Sequence, residues 1–268
     1  MPKQVFNTDD PEIKRQIEEG QKLIESTINN PDRVQLKEIR LDNGAVYDGF
    51  WKNGARDGYG VQKWPDGSSY KGDWKDNKAN GKGKLVHADG DYYEGDWDND
   101  KANGHGIYIH ANQAKYEGEW KNDKQHGKGV EKWPDGAEYN GEYLDGKKHN
   151  YGELIFGDNS SYKGQFHQNN IHGEGTYTWP DGKTYTGQWV HNQMQGSGRI
   201  QWADGRVYEG EYYHDKKHGN GIFRWNDGRE YNGGWQNGKQ HGKGVYKNAE
   251  GVKKQGEWVQ GKRVKWID

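Results

Sequence analysis

The sequence predicts an all-β protein: an elongated, twisted antiparallel β-meander of repeated hairpins, a single-layer ribbon with a groove, preceded by one N-terminal α-helix. Three observations predict it. First, the frame Y-x-G-x-W, six residues, then G-x-G-x-x-x-W-P-D-G is legible in full from Tyr116 to Gly136. It reopens every 23 residues at Tyr47, Tyr70, Tyr93, Tyr116, Tyr139, Tyr162, Tyr185, Tyr208 and Tyr231. A fixed period of this size is the signature of a repeat array. Second, the large residues alternate within each frame, as at Tyr70, Gly72 and Trp74, which puts them on one face of a strand. Third, Pro65-Asp66-Gly67, Pro134-Asp135-Gly136 and Pro180-Asp181-Gly182 are tight-turn sequences leading into the next Tyr.

The helix comes first in the chain. Residues 1–9 carry no structural signal. Asp10 can cap, Pro11 suits the first helical position and Glu12 favours the first turn. Ile13, Ile17, Leu23 or Ile24, and Ile28 fall roughly on one stripe, and Asn29-Asn30-Pro31 ends it, giving a helix over about 10–29. Gly20 interrupts it at a cost of about 1 kcal/mol relative to Ala. The helix is expected to cover the open edge of the first hairpin, with partner binding as the other role. Val34–Leu41 then alternates like a strand and leads into Asp42-Asn43-Gly44, which matches the later turn column. The expected organisation is an N-terminal segment 1–32 and an array 33–268. That array comprises a half-repeat 33–46, nine repeats 47–253 and a capping half-repeat 254–268, since terminal repeats face solvent and are atypical.

In each full repeat the outgoing strand carries Tyr, Gly and an aromatic. A polar turn such as Asn192-Gln193-Met194-Gln195 follows, and the return strand places Gly173, Gly175, Tyr177 and Trp179 in alternation. Most of the 42 glycines fall in four columns. A strand glycine weakens a sheet unless a neighbouring ring lies across its bare backbone. The Tyr and Trp rings are therefore expected to pack over these glycines, giving a thin aromatic core. With two strands per repeat, nine repeats would extend on the order of 90 Å.

Composition narrows the function. The 39 basic residues nearly cancel the 41 acidic ones, leaving a net charge of −2. That argues against a nucleic-acid binder, which shows a basic face. Without cysteine there are no disulfides or thiolate metal sites. No apolar run approaches the ~20 residues of a membrane span, and the N-terminus lacks a signal region, so a cytoplasmic protein is expected. His126, His149, His172, His218 and His241 share one column, but its members lie about 10 Å apart by strand spacing and cannot share a metal by themselves. Each G-x-G is followed by a strand and not by the helix N-terminus a phosphate loop needs. Glu94, Asp96, Lys101, Glu117, Glu119 and Lys124 read as cross-strand pairing and solubility, not as paired catalytic acids. No enzyme, cofactor or metal site is expected.

The frame resembles the MORN repeat (membrane occupation and recognition nexus) over roughly residues 40 to 268. The second Gly after Tyr is present in all nine frames, from Gly49 to Gly233, as is the later Gly of G-x-G, from Gly60 to Gly244. The first Gly of that pair fails once, at Asn150, a residue that tolerates positive φ. The aromatic four after Tyr is Trp51, Trp74, Trp97, Trp120, Tyr143, Phe166, Trp189, Tyr212 and Trp235. Relatives of this repeat occur in membrane-tethering junctional proteins, plant phosphatidylinositol-phosphate kinases, SET-domain methyltransferases, radial spoke heads and protist cortical proteins. The enzymes among them carry a separate catalytic domain, whereas here repeats run to the last residue. The resemblance thus implies a structural scaffold of a ciliary axoneme or cortical cytoskeleton, or an adaptor recruiting an enzyme. Its protein partners would lie as a helix or extended segment in the aromatic groove, for which Tyr116, Trp120, Trp133, Tyr139, Tyr162, Trp179, Tyr185 and Trp189 are the candidates, with plain core as the alternative for each. Neighbouring subunits would meet the charged face, and self-association could use the basic end Lys262-Arg263-Val264-Lys265-Trp266. The alternative is a tether on anionic lipid through the column Lys78, Lys101, Lys124, Lys147, Lys216 and Lys239, although acidic columns run beside it.

Overall fold

The computed structural model describes residues 9–267; residues 1–8, for which the sequence gives no signal, and Asp268 lie outside them. The described residues form two compact units, divided after Pro134. Unit 1 holds α1 (Pro11–Glu25), β1 (Val34–Arg40), β2 (Val46–Lys52), β3 (Ala55–Lys63), β4 (Ser69–Lys75), β5 (Lys78–Val86), β6 (Tyr92–Asp98), β7 (Lys101–Ile109), β8 (Lys115–Lys121) and β9 (Lys124–Lys132). Unit 2 holds β10 (Glu138–Leu144), β11 (Lys147–Ile155), β12 (Ser161–His167), β13 (Asn170–Thr178), β14 (Thr184–Val190) and β15 (Gln193–Gln201). It continues with β16 (Val207–Tyr213), β17 (Lys216–Arg224), β18 (Glu230–Gln236), β19 (Lys239–Lys247), β20 (Lys253–Val259) and β21 (Lys262–Ile267). Within each unit every strand pairs antiparallel with the next in sequence, an open meander of hairpins.

The helix follows its sequence signals. Asp10 caps it by accepting from the Glu12 and Ile13 amides at 2.8 and 3.4 Å. It ends at Glu25, and residues 26–29 continue as turns. Gly20, counted above as an interruption, is where α1 meets β1: a Cβ there would stand 3.1 Å from the Arg40 carbonyl and from Ile39 Cγ2. Arg40 Nε donates to Gln16 at 2.8 Å, and the Gly54 amide donates to the buried Thr27 hydroxyl at 3.0 Å. The helix therefore lies on the first strand, and the turn that follows it lies on the tip of the β2–β3 hairpin.

The core is built as the glycine columns predict. Tyr47, Tyr139, Tyr162, Tyr185, Tyr208 and Tyr231 are 0 % exposed. Each ring lies over two facing glycines, as Tyr162 lies over the paired Gly164 and Gly175. The hydroxyl reaches past them and donates to the carbonyl three residues on: Tyr70 to Asp73 at 3.0 Å, Tyr162 to Gln165 at 3.0 Å. Rings then interlock between repeats. Tyr70 meets Trp74 edge-on at 4.9 Å and Trp97 of the next repeat at 5.3 Å. Such a pair contributes about 0.5–1.5 kcal/mol beyond the area it buries. The Trp97 and Trp235 indoles donate to the Gly83 and Gly221 carbonyls at 3.0 Å.

Two local expectations are corrected. The first Gly of G-x-G does not share the aromatic face: it is a β-bulge in the left-handed region, with φ 109° at Gly58 and 69° at Gly173, and Asn150 takes it at 53°. Where the residue before the outgoing aromatic is Asp, Glu or Gln, its side chain clamps that bulge, as at Asp73, Asp96, Glu119, Gln165, Gln188 and Glu211. Asp96 accepts the His105 amide at 2.8 Å, Glu119 that of Lys128 at 2.9 Å and Gln165 that of Glu174 at 2.8 Å. Asp96 and Glu119 thus satisfy backbone donors that the bulge leaves unpaired, a role beyond surface pairing. The hairpin turn is also shorter than the sequence suggested. In β14–β15 it is His191-Asn192, with φ 48° and 66°, because Gln193 already pairs with Val190. Positive φ at both residues gives the twist that a two-residue hairpin needs. The second turn residue then ties repeats together: Asn77, Asp100 and Asp123 accept the Arg56, Ala79 and Ala102 amides in unit 1.

Candidate functional site: the aromatic face

Alternation places the opening Tyr, the outgoing aromatic and three residues of the return strand on one side of the sheet. Depth differs by column. The opening tyrosines sink over the glycine pairs, and burial holds the phenols of Tyr70, Tyr93, Tyr162, Tyr185 and Tyr208 well above the ordinary tyrosine range. The Trp of Trp-Pro-Asp-Gly and its equivalents stand higher: Trp64 and Trp133 in unit 1, and Trp179, Trp202 and Trp225 in unit 2, are half-buried. In unit 2 they flank the middle ring of the return strand. Tyr177 lies 4.7 Å from Trp179, while Phe223 lies 5.6 Å from Trp202 and 4.6 Å from Trp225.

Of the rings singled out by the sequence, Tyr116 (2 % exposed), Tyr139, Tyr162 and Tyr185 lie beneath this face, and Trp189 is buried against Tyr162 and Tyr185 at 5.7 and 5.0 Å. Trp120 is half-buried, with its indole donating to the Gly106 carbonyl at 3.1 Å. Trp133 and Trp179 stand at the surface of the face, and the Lys183 ammonium sits 3.9 Å from the Trp179 ring centre.

A further column went unread. The tenth residue of each repeat, just after the hairpin turn, also points onto the aromatic face. Arg56 stacks on Trp74 at 4.3 Å, and Lys148 lies 5.0 Å from Tyr139. The Lys217 ammonium stands 4.6–5.3 Å from the rings of Phe223, Trp235, Tyr208 and Trp202. Burial, with Arg206 close by, pushes Lys217 down to about 8, so it remains charged at neutral pH against four ring faces. The mixed residue types of this column gave no period to detect.

The opposite face is polar, with pairs such as Lys163–Glu153 at 3.7 Å and Lys84–Glu94 at 3.2 Å. The lysine column begins the return strands β5, β7, β9, β11, β17 and β19 and is exposed at Lys78, Lys101, Lys124, Lys147, Lys216 and Lys239. In unit 2, His167 and His191 stand between column members, so that His149, His167, His172 and His191 form a row with centroids 5.0, 5.7 and 5.6 Å apart. Among the described residues no group of three or more His, Asp or Glu is placed to hold a metal ion. No helix among them is long and apolar enough to cross a membrane.

The profile of the MORN repeat matches residues 47–69, 70–92, 93–115, 116–138, 139–161, 162–184, 185–205, 208–228, 231–252 and 255–264. No curated protein matches the chain. Among solved structures it is similar to the TCP10 domain of Danio rerio CPAP in complex with a peptide of Danio rerio STIL. That match has a TM-score of 0.46 and 13 % identity, covering 88 % of this chain and 99 % of that one. It is also similar to the SAS-4 (dCPAP) TCP domain of Drosophila melanogaster in complex with a proline-rich motif of Ana2. There the TM-score is 0.31 and identity 13 %, over 66 % and 85 % of the two chains. Likeness of that degree carries nothing from those domains to this chain.

Proposed function

The chain belongs to the MORN-repeat family, and from that premise we propose that it is a non-enzymatic scaffold. Its aromatic face holds a helix or extended segment of another protein within a ciliary axoneme or cortical cytoskeleton. The observation that carries this reading is the half-buried indole of Trp-Pro-Asp-Gly, recurring over a layer of rings already committed to the core. The opening Tyr and outgoing aromatic columns below it are the more deeply buried, and the upper indoles, though packed on the rings beneath them, keep part of their surface exposed. A large amphipathic ring at the rim of an apolar surface is what binding hot spots are made of. The exposed lysine column supports a lipid tether more weakly, because acidic side chains alternate with it.

Detergent extraction of ciliated cells expressing tagged protein tests this reading. The wild type is expected to stay with the detergent-insoluble axoneme or cortex. A Trp179→Ala, Trp202→Ala, Trp225→Ala variant that still unfolds cooperatively is expected to lose at least about tenfold in retention, the effect of removing about 1.4 kcal/mol or more of contact. Release of the wild type with the membrane fraction, or equal retention of the variant, would overturn the reading.

A further inference from the structure

We propose that a pocket around Ala79 in unit 1 receives a lysine side chain from a partner polypeptide. The template is internal. Lys217 occupies a cage made by Trp202, Tyr208, Phe223 and Trp235. Six repeats earlier the same columns hold Trp64, Tyr70, Leu85 and Trp97, and the tenth-residue column that holds Lys217 holds Ala79. Those four residues and Ala79 line an open pocket of about 480 Å³. Compared with the Lys217 cage, this pocket has Ala79 in place of the lysine and Leu85 in place of Phe223.

The charges agree with a missing cation. Around the pocket, Arg56 (+1) against Asp66 and Asp100 (−2) leaves −1. In unit 2, Asp204 stands where the pocket has Asp66, Arg206 and Asp215 replace Ser68 and Asn77, and Met194 and Gly238 replace Arg56 and Asp100, which again leaves −1 before Lys217 brings that cage to zero. The Ala79 pocket has the balance of the Lys217 cage without its lysine. Asp100 is fixed there, since its Oδ1 accepts the Ala79 amide at 2.7 Å. Arg56 is held against the wall by Trp74, at 4.3 Å, and by its bond to the Asn77 carbonyl at 2.7 Å. An ammonium entering from outside would meet the lining rings of Trp64, Tyr70 and Trp97, with the exposed carboxylates of Asp66 and Asp100 also in the lining. Attraction to those rings offsets part of the desolvation that an ammonium meets in such a recess.

This assignment rests on the reading of the aromatic face as a protein-binding surface and names one chemical requirement of the partner. The test uses Nα-acetyl-lysine N-methylamide as the probe, with the norleucine analogue as control, followed by the indole N–H signals of the isotope-labelled full chain. The lysine probe is expected to move the Trp64 and Trp97 signals saturably while norleucine does not. Ala79→Lys, which supplies the occupant from within, is expected to abolish the response. In Trp64→Leu, read at Trp97, the probe is expected to bind about tenfold more weakly. An equal response to norleucine, a full response in Ala79→Lys, or no saturable shift in the wild type would each overturn the proposal. Retention in the detergent-insoluble fraction is measured separately, so a failure here with retention intact removes the lysine assignment and leaves the scaffold reading.

Discussion

Gly141→Val is expected to lower stability by about 3 kcal/mol and to do so cooperatively, through the glycine's contact with the ring above it. A Cβ at this position would stand 2.5 Å from the Tyr139 hydroxyl oxygen and 2.6 Å from the Gly152 Cα on the paired strand. Neither neighbour can retreat. Tyr139 is 0 % exposed, and its hydroxyl donates to the Glu142 carbonyl at 3.0 Å; Gly152 is held in the ladder on both sides, by β10 and β12. Overpacking of this kind usually costs 1–3 kcal/mol, and contact with backbone places it at the upper end. For a chain of this size the melting temperature should fall by roughly 6–12 °C. A melting temperature equal to wild type would contradict the packing of rings over glycines.

Alkali is expected to unfold the protein in a single steep transition. Burial raises the phenols of Tyr47, Tyr70, Tyr93, Tyr162, Tyr185, Tyr208 and Tyr212 in the folded state, and pushes Tyr231 up to about 12. A group whose folded pKa lies above its unfolded value near 10 holds its proton more tightly when folded. Its stabilisation is complete below about pH 10 and is lost as pH rises from there through the folded pKa. Each such tyrosine contributes a slope of about 1.4 kcal/mol per pH unit in that window. Several acting together exceed any ordinary domain stability within one to two units. Absorbance at the phenolate band and far-UV circular dichroism should therefore change together. Phenolate forming at the ordinary pKa with secondary structure intact would show that the rings are open to water.

The period, the alternating strands and the start of the helix were legible because each follows a local rule: alternation, a Pro-Asp-Gly turn, an Asp-Pro helix start. The role of the glycines was legible too, since only a covering ring excuses a bare strand backbone at Gly164 and Gly175. What alternation cannot convey is depth. Tyr162 and Trp179 lie on the same face by parity, but Tyr162 lies over two glycines and is sealed, while Trp179 precedes a turn and stays half-buried. The bulge was hidden for a related reason. Gly173 looks like one more member of an alternating series, and only its φ of 69° and the Gln165 clamp show that it steps out of register. The Lys217 cage draws its rings from three repeats, so no single frame displays it.

Site-specific photocrosslinking tests the central claim most directly. A benzoylphenylalanine is placed at Trp179 or Trp202 on the aromatic face, or at Lys163 or Glu209 on the polar face, and irradiated in living ciliated cells. The account predicts a discrete protein adduct from the first two positions, competed by untagged wild-type chain, and none of that size from the other two. The same adduct from Lys163 or Glu209 alone, or lipid adducts in place of protein at Trp179, would contradict it.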